Sequence, residues 1–213
     1  HDVGIARGRC ATQRKSCHGL HPAVSTSRRP PPPGRSVRHV TDLKRTPLYE
    51  HHIALGAKIA DFGGWAMPIE YSGIVAEHAA VRESVGIFDV SHMGKLRITG
   101  TGALAAVNAV LTNDINRISD GQAQYSMLCN DEGGVIDDLI VYRAAEDEIR
   151  IVPNASNAAI VVDVLAAHLP GGITLENEGA AKGILALQGP AVDSVMAALG
   201  LPRGHDYMSF TDA

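Results

Sequence analysis

The stretch Gly133-Gly134-Val135-Ile136-Asp137-Asp138-Leu139-Ile140-Val141-Tyr142 sets two adjacent carboxylates within a run of β-branched and apolar residues. Two glycines before such a run are typical of a turn that feeds a β-strand. Because strand side chains alternate between faces, Asp138 and Tyr142 share one side and Asp137 lies on the other. Whichever face is inward, one carboxylate therefore lies among apolar neighbours.

A carboxylate in such a position needs a partner. Without a cation or hydrogen-bond donors, burial raises its pKa until it protonates. An Asp of this kind beside a Tyr hydroxyl is a candidate proton-handling site. The residues alone leave another interpretation open, in which one Asp is a surface group and the other belongs to the turn.

Composition and charge exclude several classes of function. Hydrophobic residues make up 45% and charged residues 20% of the 213 positions, which is typical of a soluble globular chain. No apolar run reaches the length needed to cross a bilayer. Residues 1–45 hold ten Lys or Arg and two acidic residues, whereas residues 46–213 hold nine and twenty-one. Since an acidic body repels phosphate backbones, we expect no nucleic-acid binding by the folded part.

The three cysteines indicate neither a metal site nor a disulfide. Cys10 and Cys17 lack a second pair of ligands at zinc spacing, and Cys129 stands alone in an apolar run. We therefore expect a reducing compartment and no metal.

Residues 1–42 form a basic, Pro- and Arg-rich segment with little apolar periodicity, which predicts a disordered tail. The composition also resembles a mitochondrial transit peptide, although the run Pro30–Pro33 disfavours an amphipathic helix. A third possibility is upstream sequence foreign to the native protein. The chain begins at His1 rather than Met and ends without an obvious stop signal, so we expect a fragment.

From about Thr46, helical and strand-like patterns alternate along the chain. Helices are predicted at residues 48–55, 73–85, 102–111, 158–168 and 190–200. Strands are predicted at residues 57–62, 67–71, 87–99, 124–129, 135–142, 148–153, 173–177 and 183–188. The 124–129 and 135–142 strands should form a hairpin. A buried stripe on the second helix is predicted from Ile74, Val75, His78, Val81 and Val85. Helices alternating with antiparallel hairpins indicate an α+β fold with antiparallel sheets.

Six short motifs follow one another in the sequence. They are Asp61-Phe62-Gly63-Gly64-Trp65-x-Met67-Pro68, Glu77-His78-x-Ala80-Val81-Arg82, Gly86-Ile87-Phe88-Asp89-Val90-Ser91-His92-Met93, Leu111-Thr112-Asn113-Asp114, Gly133-Gly134-Val135-Ile136-Asp137-Asp138-Leu139 and Leu187-Gln188-Gly189-Pro190. Together they closely resemble the T-protein family, the folate-dependent aminomethyltransferases of the glycine cleavage system. The resemblance extends from about Thr46 to the end of the chain.

The resemblance implies a transferase of one-carbon metabolism and glycine catabolism. Such an enzyme takes the aminomethyl group from the lipoyl arm of a carrier protein, the H-protein. It passes the one-carbon unit to tetrahydrofolate and releases ammonia, without a metal. Residues 46–213 would be the N-terminal part of the folate-binding domain, truncated before a C-terminal barrel, and we expect this fragment alone to be inactive or poorly folded. The Ala- and Val-rich body favours the bacterial cytoplasm, with the mitochondrial matrix as the alternative.

The resemblance also implies the site residues. Asp138 would be the catalytic carboxylate that faces the reactive nitrogens of the pterin, where it suits the positive charge that develops on the migrating carbon. Five further positions would contact folate, two as apolar walls and three through shape and hydrogen bonds: Met93, Val152, Tyr125, Tyr142 and Asn154. The apolar pair could instead be plain core, and the two tyrosines a simple cross-strand pair.

Two relatives of different function share this resemblance. One is the folate domain of a demethylase or of dimethylglycine or sarcosine dehydrogenase. The other is a non-catalytic folate-binding protein of iron–sulfur assembly, which has less need for a carboxylate at Asp138.

Overall fold

A computed structural model describes residues 42–212, so the predictions made for residues 1–41 lie outside the described part of the chain. The helices in this range are α1 (Tyr49–Ala54), α2 (Ile74–Glu83), α3 (Ala103–Val110), α4 (Ala158–His168) and α5 (Val192–Ala198). The strands are β1 (Lys58–Phe62), β2 (Trp65–Glu70), β3 (Gly86–Asp89), β4 (Leu96–Thr99), β5 (Gln122–Cys129), β6 (Val135–Ala145), β7 (Glu148–Val152), β8 (Thr174–Asn177) and β9 (Leu185–Gln188).

The central element is a five-stranded sheet in the order β5-β6-β7-β4-β8, in which every neighbouring pair is antiparallel. Two smaller antiparallel sheets pair β1 with β2 and β3 with β9. The predicted α+β class with antiparallel sheets is confirmed. Within residues 42–212, the helices are too short or too polar to span a bilayer.

The predicted hairpin between β5 and β6 is confirmed. In its turn the Asn130 amide donates to the Gly134 carbonyl and the Gly133 amide donates to the Asn130 carbonyl, both at 2.9 Å. The Asn130 side-chain oxygen also accepts from the Gly134 amide at 2.7 Å. Gly133 adopts φ 79°, a left-handed conformation that glycine occupies without steric cost. The turn therefore sets the register that carries the two aspartates.

One face of the five-stranded sheet packs on helices α3 and α4 to form the core. The fully buried side chains there come from alternating positions of β4, β6 and β7 and from the two helices: Leu96, Ile98, Val107, Leu139, Val141, Ile149, Ile151, Val161 and Leu165. Asp137 lies on this inner face and is 2% exposed. The strand alternation expected from the sequence is therefore present, and Asp137 is the inward carboxylate.

The prediction of one continuous strand over residues 87–99 is wrong. β3 and β4 belong to different sheets and are separated by a turn at residues 90–95. In this turn the Met93 amide donates to the Val90 carbonyl at 3.0 Å. The Lys95 ammonium donates to the carbonyls of Ser91 and Met93 at 2.7 and 3.0 Å. These contacts satisfy main-chain groups that a straight strand would have paired with a neighbour.

The predicted buried stripe on α2 is also wrong. Ile74 and Val75 are 70% and 84% exposed, and His78 is exposed. Of the five predicted residues only two are partly buried: Val81 near the end of α2 and Val85 between α2 and β3. The spacing correctly indicated a helix, but no other element among residues 42–212 buries a residue of α2.

Candidate functional site

The face of the five-stranded sheet opposite the core carries four of the six predicted site residues. These residues alternate along their strands with inward-facing neighbours: Tyr125 in β5, Asp138 and Tyr142 in β6, and Val152 in β7. Tyr125 and Val152 are both in register with Ile140, so one row of side chains crosses three adjacent strands. The hairpin and the β6–β7 pairing thus bring these residues to one surface.

Asp138 lies exposed on this outer face, opposite Met127 of β5. Its neighbour Asp137 is buried on the other face, so the two carboxylates lie in very different environments. Only the outer carboxylate is accessible to a ligand. The sequence left open which of the two pointed inward, and the packing of α3 and α4 decides it.

Asn154, which follows β7, contacts both aspartates. Its side-chain Nδ2 donates to Asp138 Oδ1 at 3.0 Å, to the Asp138 main-chain oxygen at 2.8 Å and to Asp137 Oδ1 at 3.0 Å. Its main-chain amide donates to Asp137 Oδ2 at 2.9 Å. Asn157, at the start of α4, adds a further bond to Asp137 Oδ1 at 2.7 Å. The amides therefore satisfy the buried carboxylate without a cationic partner among the described side chains.

Tyr125 and Tyr142 are not directly paired, because Tyr125 is opposite Ile140 and Tyr142 is opposite Ala123. They are diagonal neighbours on one face. Burial raises the pKa of Tyr142, and the nearby Tyr125 hydroxyl raises it further. Tyr142 is therefore neutral near pH 7 and can donate a hydrogen bond, while Tyr125 remains 60% exposed.

The ring of Phe210 packs against the ring of Tyr142 in a T-shaped contact, with the centroids 5.4 Å apart and the planes at 80°. The segment that contains Phe210 lies along the edge of β5. There the Ala123 amide donates to the Met208 carbonyl at 2.7 Å, and the Phe210 amide donates to the Gly121 carbonyl at 2.8 Å. Sequence reasoning missed this contact, since nothing local links residues 68 positions apart. A cavity of about 260 Å³ opens beside Tyr142, Val152 and Phe210.

Met93 lies in the turn between β3 and β4 and lines a different cavity, of about 940 Å³, with His92, Trp65 and Ser156. Lys95 lines both cavities, so the two are neighbours. The Gly94 amide donates to the Pro153 carbonyl at 3.0 Å and ties the Met93 turn to the residue before Asn154. Met93 therefore does not line the cavity beside Tyr142 and Val152. It is connected to that face of the sheet through the main-chain hydrogen bond between Gly94 and Pro153.

Comparison with known proteins places the chain in a family. Residues 48–212 match the family model described as the GCVT N-terminal domain. The chain belongs to the GCVT N-terminal domain family. The resemblance predicted from the six motifs is confirmed.

Individual relatives of this GCVT domain carry consistent descriptions. It is 56% identical over 176 residues to an aminomethyltransferase of Frankia alni, covering 82% of this chain and 48% of that protein. It is 53% identical over 171 residues to an aminomethyltransferase of Mycolicibacterium paratuberculosis, covering 80% and 47%. The crystal structure of glycine cleavage system aminomethyltransferase T from Bartonella henselae matches with a TM-score of 0.75 and 37% identity, covering 78% and 46%. The chain spans about half the length of the curated relatives that it matches.

A second polar cluster of the GCVT domain lies beneath the Met93 turn. The Asp89 carboxylate accepts from Thr46 Oγ1 at 2.5 Å and from the Ser91 amide at 2.9 Å. It also lies 2.9 Å from His52 Nε2, and His52 Nδ1 lies 2.8 Å from the Tyr71 hydroxyl. Burial acts to raise the pKa of Asp89, but hydrogen bonds from His52, Ser91 and Thr46 outweigh it and lower the pKa to about 2. Asp89 is therefore an ionised anchor for the start of the turn.

Lys95 and His92 were not predicted as site residues. Lys95 is 6% exposed, and burial lowers its pKa, although the charge of Asp89 acts in the opposite sense. His92 has a buried Nδ1 without a hydrogen-bond partner in the described part of the chain, and burial lowers its pKa as well. A lysine after a glycine in a polar turn normally indicates a surface residue, so the sequence held no signal for its burial.

Proposed function

We propose that this GCVT domain carries the one-carbon transfer site of an aminomethyltransferase of the glycine cleavage system. The enzyme takes the aminomethyl group from the lipoyl arm of a carrier protein, the H-protein. Tetrahydrofolate accepts the one-carbon unit to give methylenetetrahydrofolate, and cleavage of the bonds from that carbon to nitrogen and to the lipoyl sulfur releases ammonia and the dihydrolipoyl carrier. Since the matched relatives are bacterial aminomethyltransferases, we assign the protein to the bacterial cytoplasm.

The observation that carries this proposal is the setting of Asp138. Its carboxylate is exposed on a surface of aromatic and apolar side chains and accepts a hydrogen bond from Asn154 at 3.0 Å. As ammonia departs from the aminomethyl carbon, positive charge develops there, and a fixed carboxylate stabilises it. The same carboxylate can hold or accept a proton from an acceptor nitrogen as the new C–N bond forms.

The surrounding side chains support a flat heteroaromatic acceptor. Tyr125 and Tyr142 present ring surfaces, and Val152 adds an apolar wall on the adjacent strand. Ligand sites of this kind combine apolar walls with a few oriented polar groups. Asp138 and Asn154 provide those polar groups, and Met93 contributes from the neighbouring turn.

The test is ammonia release from an aminomethyl-lipoyl carrier by the full-length protein, with and without tetrahydrofolate. We expect folate to stimulate release in the wild type, and Asp138→Asn to reduce the stimulated rate by about a hundredfold or more, the scale for losing an acid–base group. Asp147→Asn is the matched control, because Asp147 lies exposed in the β6–β7 turn of the same sheet.

Three other results would contradict the proposal. An unchanged rate in Asp138→Asn would remove Asp138 from the mechanism. Folate binding without ammonia release in the wild type would instead identify a non-catalytic folate-binding protein. Oxidative or demethylating activity toward an N-methyl amine would identify the dehydrogenase-related class.

A further inference from the structure

The chemistry proposed for Asp138 does not involve Asp137 directly, yet the buried carboxylate of Asp137 has hydrogen-bond donors on both oxygens. It is 2% exposed and lies among core residues such as Leu139 and Val141. Both of its oxygens accept hydrogen bonds: Oδ2 from the Asn154 main-chain amide, and Oδ1 from the side-chain amides of Asn154 and Asn157. A buried carboxylate is costly to maintain, and an apolar residue would pack here without that cost.

The carboxylate of Asp137, together with the two Asp138 oxygens, fixes the orientation of the Asn154 amide. A carboxylate only accepts hydrogen bonds, so the group of Asn154 that faces it must be the NH₂ and not the carbonyl oxygen. The same NH₂ reaches Asp138 Oδ1 and the Asp138 main-chain oxygen at 3.0 and 2.8 Å. One amide group thereby joins the buried carboxylate to the exposed one.

This orientation determines what Asn154 offers to a ligand. With its NH₂ engaged by the two aspartates, the Oδ1 atom of Asn154 has no hydrogen-bond partner within residues 42–212. It is therefore available as an acceptor beside the Asp138 carboxylate. A ligand bound there must present hydrogen-bond donors, and a ligand that presents only acceptors at that position is disfavoured.

We infer that Asp137 is a positioning residue for the proposed transfer reaction: it orients the Asn154 amide so that Asp138 is restrained and an acceptor oxygen faces the substrate. The inference rests on the proposed function, since it assigns Asp137 a part in that reaction. Asp137 acts through Asn154 and does not touch the substrate.

The decisive variant is Asp137→Asn, which keeps the shape of the side chain and removes its charge. The new amide can turn an NH₂ toward Asn154, and Asn154 then rotates to accept that bond. Its own NH₂ leaves Asp138 and faces the ligand. We expect kcat of folate-stimulated ammonia release by the full-length protein to fall about 10- to 100-fold, the scale of a small misplacement in an active site.

A double-mutant cycle separates positioning from simple stabilisation. If Asp137 acts through Asn154, Asp137→Asn adds no further loss of kcat in an Asn154→Ala background. If it only stabilises the fold, the two losses add on a logarithmic scale, and the inference is overturned. An unchanged kcat in the single Asp137→Asn variant overturns it equally.

Asn157→Ala tests the inference even if Asp137→Asn does not fold. It removes one donor to Asp137 but leaves both Asn154 contacts in place. We expect kcat within about twofold of the wild type, because the Asn154 amide keeps its orientation. A loss as large as that of Asn154→Ala would show that the orientation of the Asn154 amide is not set through the Asp137–Asn154 contact.

A wild type without folate-stimulated ammonia release would reject the proposed function itself. An active wild type with an unaffected Asp137→Asn variant would reject only the role of Asp137.

Discussion

Gly94 and Pro153 meet at a main-chain hydrogen bond of 3.0 Å, and this contact joins the turn that carries Met93 to the residue before Asn154. A Cβ atom on Gly94 would lie 2.5 Å from Pro153 Cγ and 3.1 Å from Ala158 Cβ. Real Cβ contacts are essentially never shorter than 3.0 Å. The close approach therefore requires glycine, and the relative placement of Met93 and Asn154 depends on it.

We expect Gly94→Ala to displace this turn and to reduce the free energy of unfolding by about 1–3 kcal/mol, the usual cost of overpacking. Urea denaturation of the full-length protein measures the effect. The matched control is Gly171→Ala, because Gly171 has no neighbour within 4 Å of a built Cβ and no positive φ. Equal unfolding midpoints for the two variants would contradict the steric role of Gly94.

The Asp89 cluster predicts a specific dependence of stability on pH. The pKa of Asp89 is about 2 in the folded protein and 3.8 for a free side chain. A lowered pKa means that ionisation of Asp89 favours the folded state above pH 4 and that this contribution is lost as pH falls toward 2. Since its side chain is 1% exposed, the contribution is about 2 kcal/mol.

Urea denaturation at pH 7, 4 and 3 of the wild type and of Asp89→Asn tests this dependence. We expect the difference in unfolding free energy between the two proteins to shrink between pH 4 and pH 3. Glu148→Gln on β7 is a positive control, because hydrogen bonds from Arg97 and Arg150 lower the pKa of Glu148 to about 2, so its difference from the wild type should shrink over the same pH range. A difference that stays constant with pH in Asp89→Asn would show that this carboxylate does not titrate in the expected range.

The two faces of the five-stranded sheet should respond differently to truncation. Tyr125 is 60% exposed on the outer face, so Tyr125→Ala should leave the unfolding free energy nearly unchanged and weaken tetrahydrofolate binding. Leu139 is 2% exposed on the inner face, and Leu139→Ala should cost about 2–5 kcal/mol. Calorimetric titration and urea denaturation of both variants separate the effects, and unchanged folate affinity in Tyr125→Ala would exclude this tyrosine from the pocket.

The sequence was sufficient for the hairpin and for the separation of Asp137 from Asp138, because turn chemistry and strand alternation are local properties. It was insufficient for α2, since helical spacing shows which residues share a face but not whether another element packs there. The break between β3 and β4 depends on the Lys95 ammonium and on the distant Pro153 carbonyl. Phe210 beside Tyr142 is likewise a long-range contact that no local pattern encodes.

The packing of Phe210 on Tyr142 has a thermodynamic consequence. The segment at residues 208–210 is held by edge hydrogen bonds to Ala123 and Gly121 and by this ring contact. Consider a ligand that binds beside Tyr142 with higher affinity when Phe210 is packed on that ring. By thermodynamic reciprocity, binding of this ligand raises the equilibrium constant for docking of residues 208–210 on the sheet by the same factor. Occupancy of the pocket and protection of the Phe210 amide from hydrogen exchange then rise together.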